Sequence, residues 1–172
     1  MSLNSKMTLK TINKSLIEAD TKYILHQCNC VTRYSAGIAQ DIFDAFPWAN
    51  TYSKRVEPSI KGTIDIRGNG KDCRFVINAY VQYYPGKPIG TDDYKSRLYS
   101  LIQCFDEIEK IQEIESIGIP VGMGSHLAGG IWSDYLSLIE DLAIELKKSQ
   151  NAEVILYNYD NKKSSNQELL WK

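Results

Sequence analysis

Three side chains in two regions of this sequence are candidates for catalysis. His126 lies inside the glycine-rich stretch VGMGSHLAGGIW, where an imidazole that titrates near neutral pH could act as an acid or a base. Asn29 ends the run KYILHQCN and could position a water molecule, and His26 lies within that run. Each has a structural alternative: a solvent-exposed loop histidine, an amide that caps a loop, and a buried core histidine.

The same two regions place small residues where a predicted strand leads into a predicted helix. Such a loop exposes unpaired backbone N–H groups, and the helix dipole adds a partial positive charge there. Small residues let the backbone approach a ligand closely, so each loop is typical of an anion site, most often for phosphate. Two such loops side by side would suit a diphosphate. The candidate residues are Ser35, Ala36, Gly37, Ile38 and Ala39 in the first loop and Gly122, Gly124, Ser125, Leu127, Ala128, Gly129 and Gly130 in the second.

Other phosphate and metal motifs do not fit the sequence. The second loop reads GxGxxxxGG, which differs from the dinucleotide pattern GxGxxG, and no Gly-Lys-Ser/Thr of a Walker loop is present. Cys28 and Cys30 would share one face of a strand, but no second Cys/His pair is near in sequence. We therefore expect no metal site and no cofactor. The alternative for the glycines is that they only make tight turns.

The elements that must position these loops alternate between strands and helices in the second half of the chain. Pattern and turn signals predict strands at 7–13, 22–29, 62–68, 73–82, 116–121 and 152–159, and helices at 37–46, 48–56, 91–112 and 133–149. For the third helix we expect Thr91 or Asp92 as the cap, with a buried stripe at Tyr94, Leu98, Ile102, Phe105 and Ile108. The order predicts an α/β fold of three layers, α/β/α, around a central mixed sheet, with ligands at the carboxyl ends of strands.

Length and composition limit the number of domains, the classes of partner and the cellular compartment. With 172 residues we expect a single domain over residues 1–172, in which residues 1–7 are a leader or a disordered segment. The formal net charge of −1 gives no bulk electrostatic reason to expect DNA or RNA as a partner. No apolar run approaches the length of a membrane span, and four cysteines without regular spacing are typical of a reduced, cytoplasmic protein.

Three segments in this order resemble a macrodomain, the ADP-ribose-binding module, and its Appr-1''-p-processing (Poa1p-like) branch in particular. The first is HQCNCVTRYSAGIAQDI, the second is FVINAYVQ followed by TDDYKSRL, and the third is IPVGMGSHLAGGIW. Together they cover roughly residues 8–160. The resemblance implies a macrodomain-like fold and ADP-ribose, ADP-ribose 1''-phosphate or ADP-ribosylated macromolecules as partners.

The resemblance also implies roles for individual residues. Asn29 would face the distal ribose, and residues 35–39 would line the distal ribose and the diphosphate. Gly124 and residues 127–130 would wrap the diphosphate from the other side, and Tyr157 or Asn158 would lie near the adenine or the proximal ribose.

The chain departs from the branch at several positions. Lys14-Ser15 stands where a Gly-Asp pair usually binds adenine, and Glu18 and Asp20 are the candidate replacements. Ala79 stands where some members carry a catalytic lysine, which argues against a covalent lysine intermediate. The second loop has two extra residues, Ser125 and His126, and Ile131 replaces an Asp or Asn.

Three functions remain open from the sequence. The first is hydrolysis at the distal ribose, as an ADP-ribose 1''-phosphate phosphatase or an ADP-ribosyl hydrolase, with Asn29, His126 and His26 as the candidate catalytic residues. The second is an ADP-ribose or nucleotide-binding module without turnover. The third is an interaction protein that has kept the fold and lost the ligand.

Overall fold

The computed structural model describes residues 9–69 and 74–159 and contains a six-stranded mixed sheet. The strands are β1 (Lys10–Ile12), β2 (Tyr23–Asn29), β3 (Ile64–Asn69), β4 (Arg74–Gln82), β5 (Ser116–Pro120) and β6 (Glu153–Tyr157). The helices are α1 (Gly37–Ala45), α2 (Tyr94–Glu109) and α3 (Trp132–Gln150), with short 3-10 helices at Leu16–Glu18 and Pro47–Ala49. The sheet order is β1-β6-β5-β2-β4-β3, and β3 pairs antiparallel with β4 whereas the other pairs are parallel.

Helices cover both faces of the sheet, so the predicted three-layer α/β architecture is confirmed. Alternate residues of β2 point to opposite faces, as the pleat requires. Leu25 faces the core formed with α2 and α3, whereas Ile24 and Cys28 face the core formed with α1 and the 3-10 helices. The central strands are buried on both sides and therefore read as continuous apolar runs.

The position of β2 beside β5 matters most for the site. Tyr23 is in register with Ile117, and Ile24 with Gly118, in parallel orientation. The loops that follow these two strands therefore leave the same edge of the sheet. Gly118 permits close packing here, because a Cβ at this position would lie 2.8 Å from the Thr21 hydroxyl and 3.0 Å from the Tyr157 ring.

Two details of the predicted elements are wrong. Residues 48–56 do not form a helix beyond the 3-10 turn, because the Asn50 side chain accepts hydrogen bonds from the backbone N–H groups of Tyr52 and Ser53 and holds a turn instead. The cap of α2 is Asp93, whose Oδ1 accepts from the Ser96 N–H at 2.7 Å, and not Thr91 or Asp92.

The buried stripe of α2 is also shifted from the predicted one. Phe105 and Ile108 are buried as expected, but Ile102 is 40% exposed, and Arg97, Leu101 and Cys104 occupy the inner face. The β3–β4 hairpin is confirmed by its antiparallel register. Its turn and the predicted leader lie outside the described residues.

The described part of the chain contains no helix long and apolar enough to cross a bilayer. It also contains no group of three or more His, Cys, Asp or Glu side chains that could hold a metal ion. Cys28, Cys30 and Cys104 are buried free thiols.

Candidate functional site

Two loops meet at the carboxyl edge of β2 and β5. The first loop (residues 30–36) joins β2 to α1, and the second loop (residues 121–131) joins β5 to α3. They touch where the second loop crosses the start of α1, because a Cβ at Gly37 would lie 3.2 Å from Cδ1 of Leu127. The fold thus brings together the two small-residue segments that the sequence singled out.

The two helices that begin at these loops lack side-chain caps. Ala36 precedes α1 in an extended conformation, with φ −145°, and Ile131 precedes α3, and neither makes a side-chain cap hydrogen bond. By contrast, Asp93 caps α2. Uncapped first-turn amides keep their N–H groups and the positive end of the helix dipole available to an anion.

The second loop contains further donors. Within the described residues, the backbone N–H groups of Gly124, His126, Leu127 and Ala128 make no hydrogen bond to the protein. The loop closes on itself through the Gly130 N–H, which donates to the Gly124 carbonyl at 2.9 Å. A closed loop with several free amides is the kind of backbone concavity that binds phosphate.

Close packing and backbone conformation require glycine at several of these positions. Gly124 has φ +75°, and a Cβ there would lie 2.4 Å from the Tyr135 ring. A Cβ at Gly130 would lie 2.5 Å from the Gly124 carbonyl oxygen. Turn geometry and packing therefore account for these two glycines, and the resulting shape is what leaves the amides free.

His126 is an exposed side chain that folds back over the second loop. A Cβ at Gly122 would lie 2.4 Å from Nε2 of His126, so the imidazole covers this glycine. The Ser125 hydroxyl donates to the Gly122 carbonyl at 2.7 Å, which fixes the turn beneath the ring.

Asn29 caps the first loop. Its Oδ1 accepts from the Val31 N–H at 3.0 Å and from the Thr32 N–H at 2.9 Å, and its Nδ2 donates to the Thr32 hydroxyl at 2.9 Å. The side chain is 8% exposed. These contacts favour the capping interpretation of Asn29, in which it fixes the conformation of the first loop.

His26 lies inside the core formed with α1 and has no exposed surface. Its Nε2 is 2.6 Å from Oδ1 of Asn78, and Nδ2 of Asn78 donates to two backbone carbonyls, so the His26 nitrogen must be the donor. Burial lowers the pKa of His26 to about 4, although the Asn78 hydrogen bond opposes the shift. A neutral, enclosed imidazole favours the structural interpretation.

The carboxyl end of β6 lies two strands from β2 in the sheet. Tyr157 is buried, with its ring next to Gly118 of β5. Asn158 is exposed, and its N–H donates to the Ile12 carbonyl at 2.8 Å. The nearby Ser15 caps the first 3-10 helix, with Oγ accepting from the Ile17 N–H at 3.3 Å. Asp20 is exposed and pairs with Lys14 at 3.4 Å.

Two buried arginines, Arg55 and Arg97, were not among the predicted site residues. Arg55 donates to the carbonyl oxygens of Thr32 at 2.7 Å and Asn29 at 3.0 Å, and its guanidinium lies 4.5 Å from the centre of the Tyr52 ring. Arg97 donates to the Ala128 carbonyl in the second loop at 3.1 Å. The signal in the sequence was the position of Arg97, three residues after Tyr94 and four before Leu101, on the apolar face of α2.

No family model matches the chain, and no curated protein matches it. Solved structures do match. The macrodomain of Mycobacterium tuberculosis DarG is 22% identical, with 87% of this chain and 97% of that chain covered and a TM-score of 0.63. A Trypanosoma brucei macrodomain in complex with ADP-ribose is 12% identical, covering 94% and 68%, with a TM-score of 0.62.

A third similar structure is Thermosipho africanus DarTG in complex with ADP-ribose, which is 14% identical and has a TM-score of 0.64. The match covers 91% of this chain and 43% of that chain. Similarity at this level of identity concerns the fold. The sheet order, the helices on both faces and these structural matches show that the chain has the macrodomain fold.

Proposed function

We propose that this protein binds ADP-ribose or ADP-ribose 1''-phosphate across the two loops and hydrolyses a bond at the distal ribose. The observation that carries the proposal is the pair of uncapped helix N-termini, at Ala36 and Ile131, on two loops that touch. Each N-terminus favours one anionic group, and a diphosphate has two adjacent ones. Similar folds have been solved in complex with ADP-ribose, which supports this ligand.

The sheet order suits the shape of this ligand. β6, β5 and β2 are neighbours, so their carboxyl ends present Asn158, the second loop and the first loop in a row. Neighbouring strands are about 4.8 Å apart, so this row spans about 10 Å. The adenine end would lie toward Asn158, the diphosphate between the loops, and the distal ribose over Asn29 and the segment Ser35–Ala39.

His126 is the best candidate for proton transfer. It is exposed, it lies on the second loop, and an imidazole side chain can serve as a general acid or a general base. In hydrolysis of the 1''-phosphate, water adds to phosphorus, the phosphate–ribose bond breaks, and a proton must reach the leaving ribose oxygen. His126 would either donate that proton to the leaving ribose oxygen or accept a proton from the attacking water, while Asn29 keeps the first loop in shape.

Binding without turnover is the second candidate function. The Oδ1 of Asn29 is engaged by two backbone amides, His26 is enclosed and neutral, and Ala79 is buried where a catalytic lysine would otherwise stand. These observations favour a binding module for ADP-ribose or for ADP-ribosylated macromolecules. The third possibility, an interaction protein that has lost the ligand, requires that no ADP-ribose binds.

Calorimetry, followed by activity assays, distinguishes these three functions. ADP-ribose is titrated into the protein, with AMP and ribose 5-phosphate as controls. Micromolar binding of ADP-ribose alone supports the site, whereas no heat at millimolar ligand would leave only the interaction protein. Release of phosphate from ADP-ribose 1''-phosphate, or of ADP-ribose from modified protein, then distinguishes an enzyme from a binding module.

A further inference from the structure

Arg97 is a buried cation whose donors all have protein partners. It is 1% exposed, and its Nε and Nη2 both donate to Oδ2 of Asp92, at 3.2 and 2.7 Å. Nη1 donates to the carbonyl oxygens of Gly86 at 2.8 Å and Ala128 at 3.1 Å. Nη2 also reaches the carbonyls of Tyr84 and Lys87, both at 3.3 Å. One side chain therefore joins α2, the β4–α2 loop (residues 83–93) and the second loop.

The partner carboxylate is itself held by a second cation. Lys61 places Nζ 2.7 Å from Oδ1 of Asp92 and also contacts the Ser96 hydroxyl, while the Tyr84 N–H donates to Oδ2 at 3.1 Å. Burial alone would raise the pKa of Asp92, but hydrogen bonds from Arg97 and Lys61 outweigh it and lower that pKa to about 2. Asp92 is thus ionised at neutral pH and fixes the orientation of the guanidinium.

The contact with Ala128 determines how the second loop presents its amides. In a planar trans peptide the carbonyl of one residue and the N–H of the next point in opposite directions. With the Ala128 carbonyl drawn inward to Arg97, the Gly129 N–H points away and donates to the His126 carbonyl at 3.1 Å. This closes the turn 126–129, which carries the free N–H groups of Leu127 and Ala128.

We propose that Arg97 is a positioning residue for anion binding by the second loop. It acts on the ligand only through the turn 126–129, because its burial leaves no surface for direct contact. The inference rests on the proposed function, since the anion in question is the diphosphate of ADP-ribose. A flexible, glycine-rich loop binds an anion tightly only if its amides are already oriented, and Arg97 provides this orientation.

The test compares Arg97→Lys with Leu101→Ala. Lysine keeps the charge next to Asp92 but offers donors from a single point, so it cannot reach Ala128, Gly86 and Asp92 together. Leu101 is a fully buried side chain of the same helix with no polar group that could orient either loop, and its truncation destabilises the protein. ADP-ribose affinity is measured by calorimetry at a temperature at which both variants are folded.

We expect Arg97→Lys to weaken ADP-ribose binding at least tenfold, with faster amide hydrogen exchange in residues 126–130. Leu101→Ala should lower Tm and leave affinity within about twofold of wild type. Unchanged affinity in Arg97→Lys, beside a wild type that binds, would overturn this inference alone. A wild type that does not bind would overturn the proposed function and the inference with it.

A second variant covers the case in which Arg97→Lys does not fold. Asp92→Asn keeps the shape of the side chain but removes the charge that orients the guanidinium, so we expect a smaller loss of ADP-ribose affinity in the same direction. Wild-type affinity in a folded Asp92→Asn protein, with unchanged exchange at residues 126–130, would count against the positioning role.

Discussion

A negative charge placed at the start of α1 should weaken ligand binding about tenfold without harming the fold. Ala36 is exposed and precedes α1 in an extended conformation, without a side-chain cap. Ala36→Asp puts a carboxylate next to the amides that we assign to the diphosphate. The same carboxylate interacts favourably with the helix dipole, by about 0.3–1 kcal/mol. Stability and binding should therefore change in opposite directions.

The size of the effect follows from Coulomb's law. A phosphate held on the first-turn amides would lie about 5 Å from the new carboxylate. At an effective dielectric constant of about 20, two unit charges at this distance repel by about 3 kcal/mol. Ala36 is exposed, and solvent screening would reduce this by about half. The remaining 1.5 kcal/mol or so corresponds to about a tenfold loss of affinity.

The matched control is Ala36→Asn, which has nearly the same shape and capping ability but no charge. Calorimetry with ADP-ribose should show at least a tenfold weaker affinity for Ala36→Asp and a smaller change for Ala36→Asn. Thermal unfolding should show Tm equal to or above the wild-type value in both. If Ala36→Asp binds as tightly as wild type, the N-terminus of α1 does not contact the phosphates and the proposed binding mode is wrong.

Three further predictions concern single residues of the site and of the core. Gly124→Ala should lower the free energy of unfolding by about 1–3 kcal/mol, measured by chemical denaturation, because φ is +75° and the new Cβ would lie 2.4 Å from the Tyr135 ring. His126→Ala should leave Tm unchanged and slow phosphate release from ADP-ribose 1''-phosphate, and an unchanged rate would exclude a catalytic role. Burial lowers the pKa of His26 from 6.5 to about 4, so the unfolded chain binds more protons between these pH values. Stability should therefore fall by up to about 3 kcal/mol as pH drops from 6.5 to 4, and His26→Gln should flatten this dependence.

The fold was largely predictable because its signals are local. The central strands are apolar runs with β-branched residues, and the long helices have an amphipathic pattern, so periodicity alone locates them. The location of the two loops at the same end of the sheet followed from the rule that ligands bind at the carboxyl ends of parallel strands. The direct pairing of β2 with β5, seen in the register of Tyr23 with Ile117, did not follow from that rule.

Competition between neighbouring residues limited the prediction at the start of α2. Thr91, Asp92 and Asp93 are all good caps by type, so local preference cannot choose among them. Tertiary partners decide, because Arg97 and Lys61 draw Asp92 into a buried ion cluster and leave Asp93 to cap the helix. The prediction of a helix over residues 48–56 was wrong for a related reason. The Asn50 side chain accepts hydrogen bonds from nearby backbone N–H groups and stabilises a turn that competes with a helix.

Each of the two loops is bonded through its backbone carbonyls to a buried arginine, an arrangement that residue types alone do not reveal. Arginine is usually a surface residue, yet Arg55 is bonded to the Asn29 and Thr32 carbonyls and Arg97 to the Ala128 carbonyl. A trans peptide directs its carbonyl and the following N–H apart, and here the N–H groups of Cys30 and Gly129 are in turn bonded to the Tyr83 and His126 carbonyls. The arginines therefore fix the turns of both loops through backbone carbonyls. We expect this interior positive charge to act on the ligand by ordering the neutral backbone that would bind it.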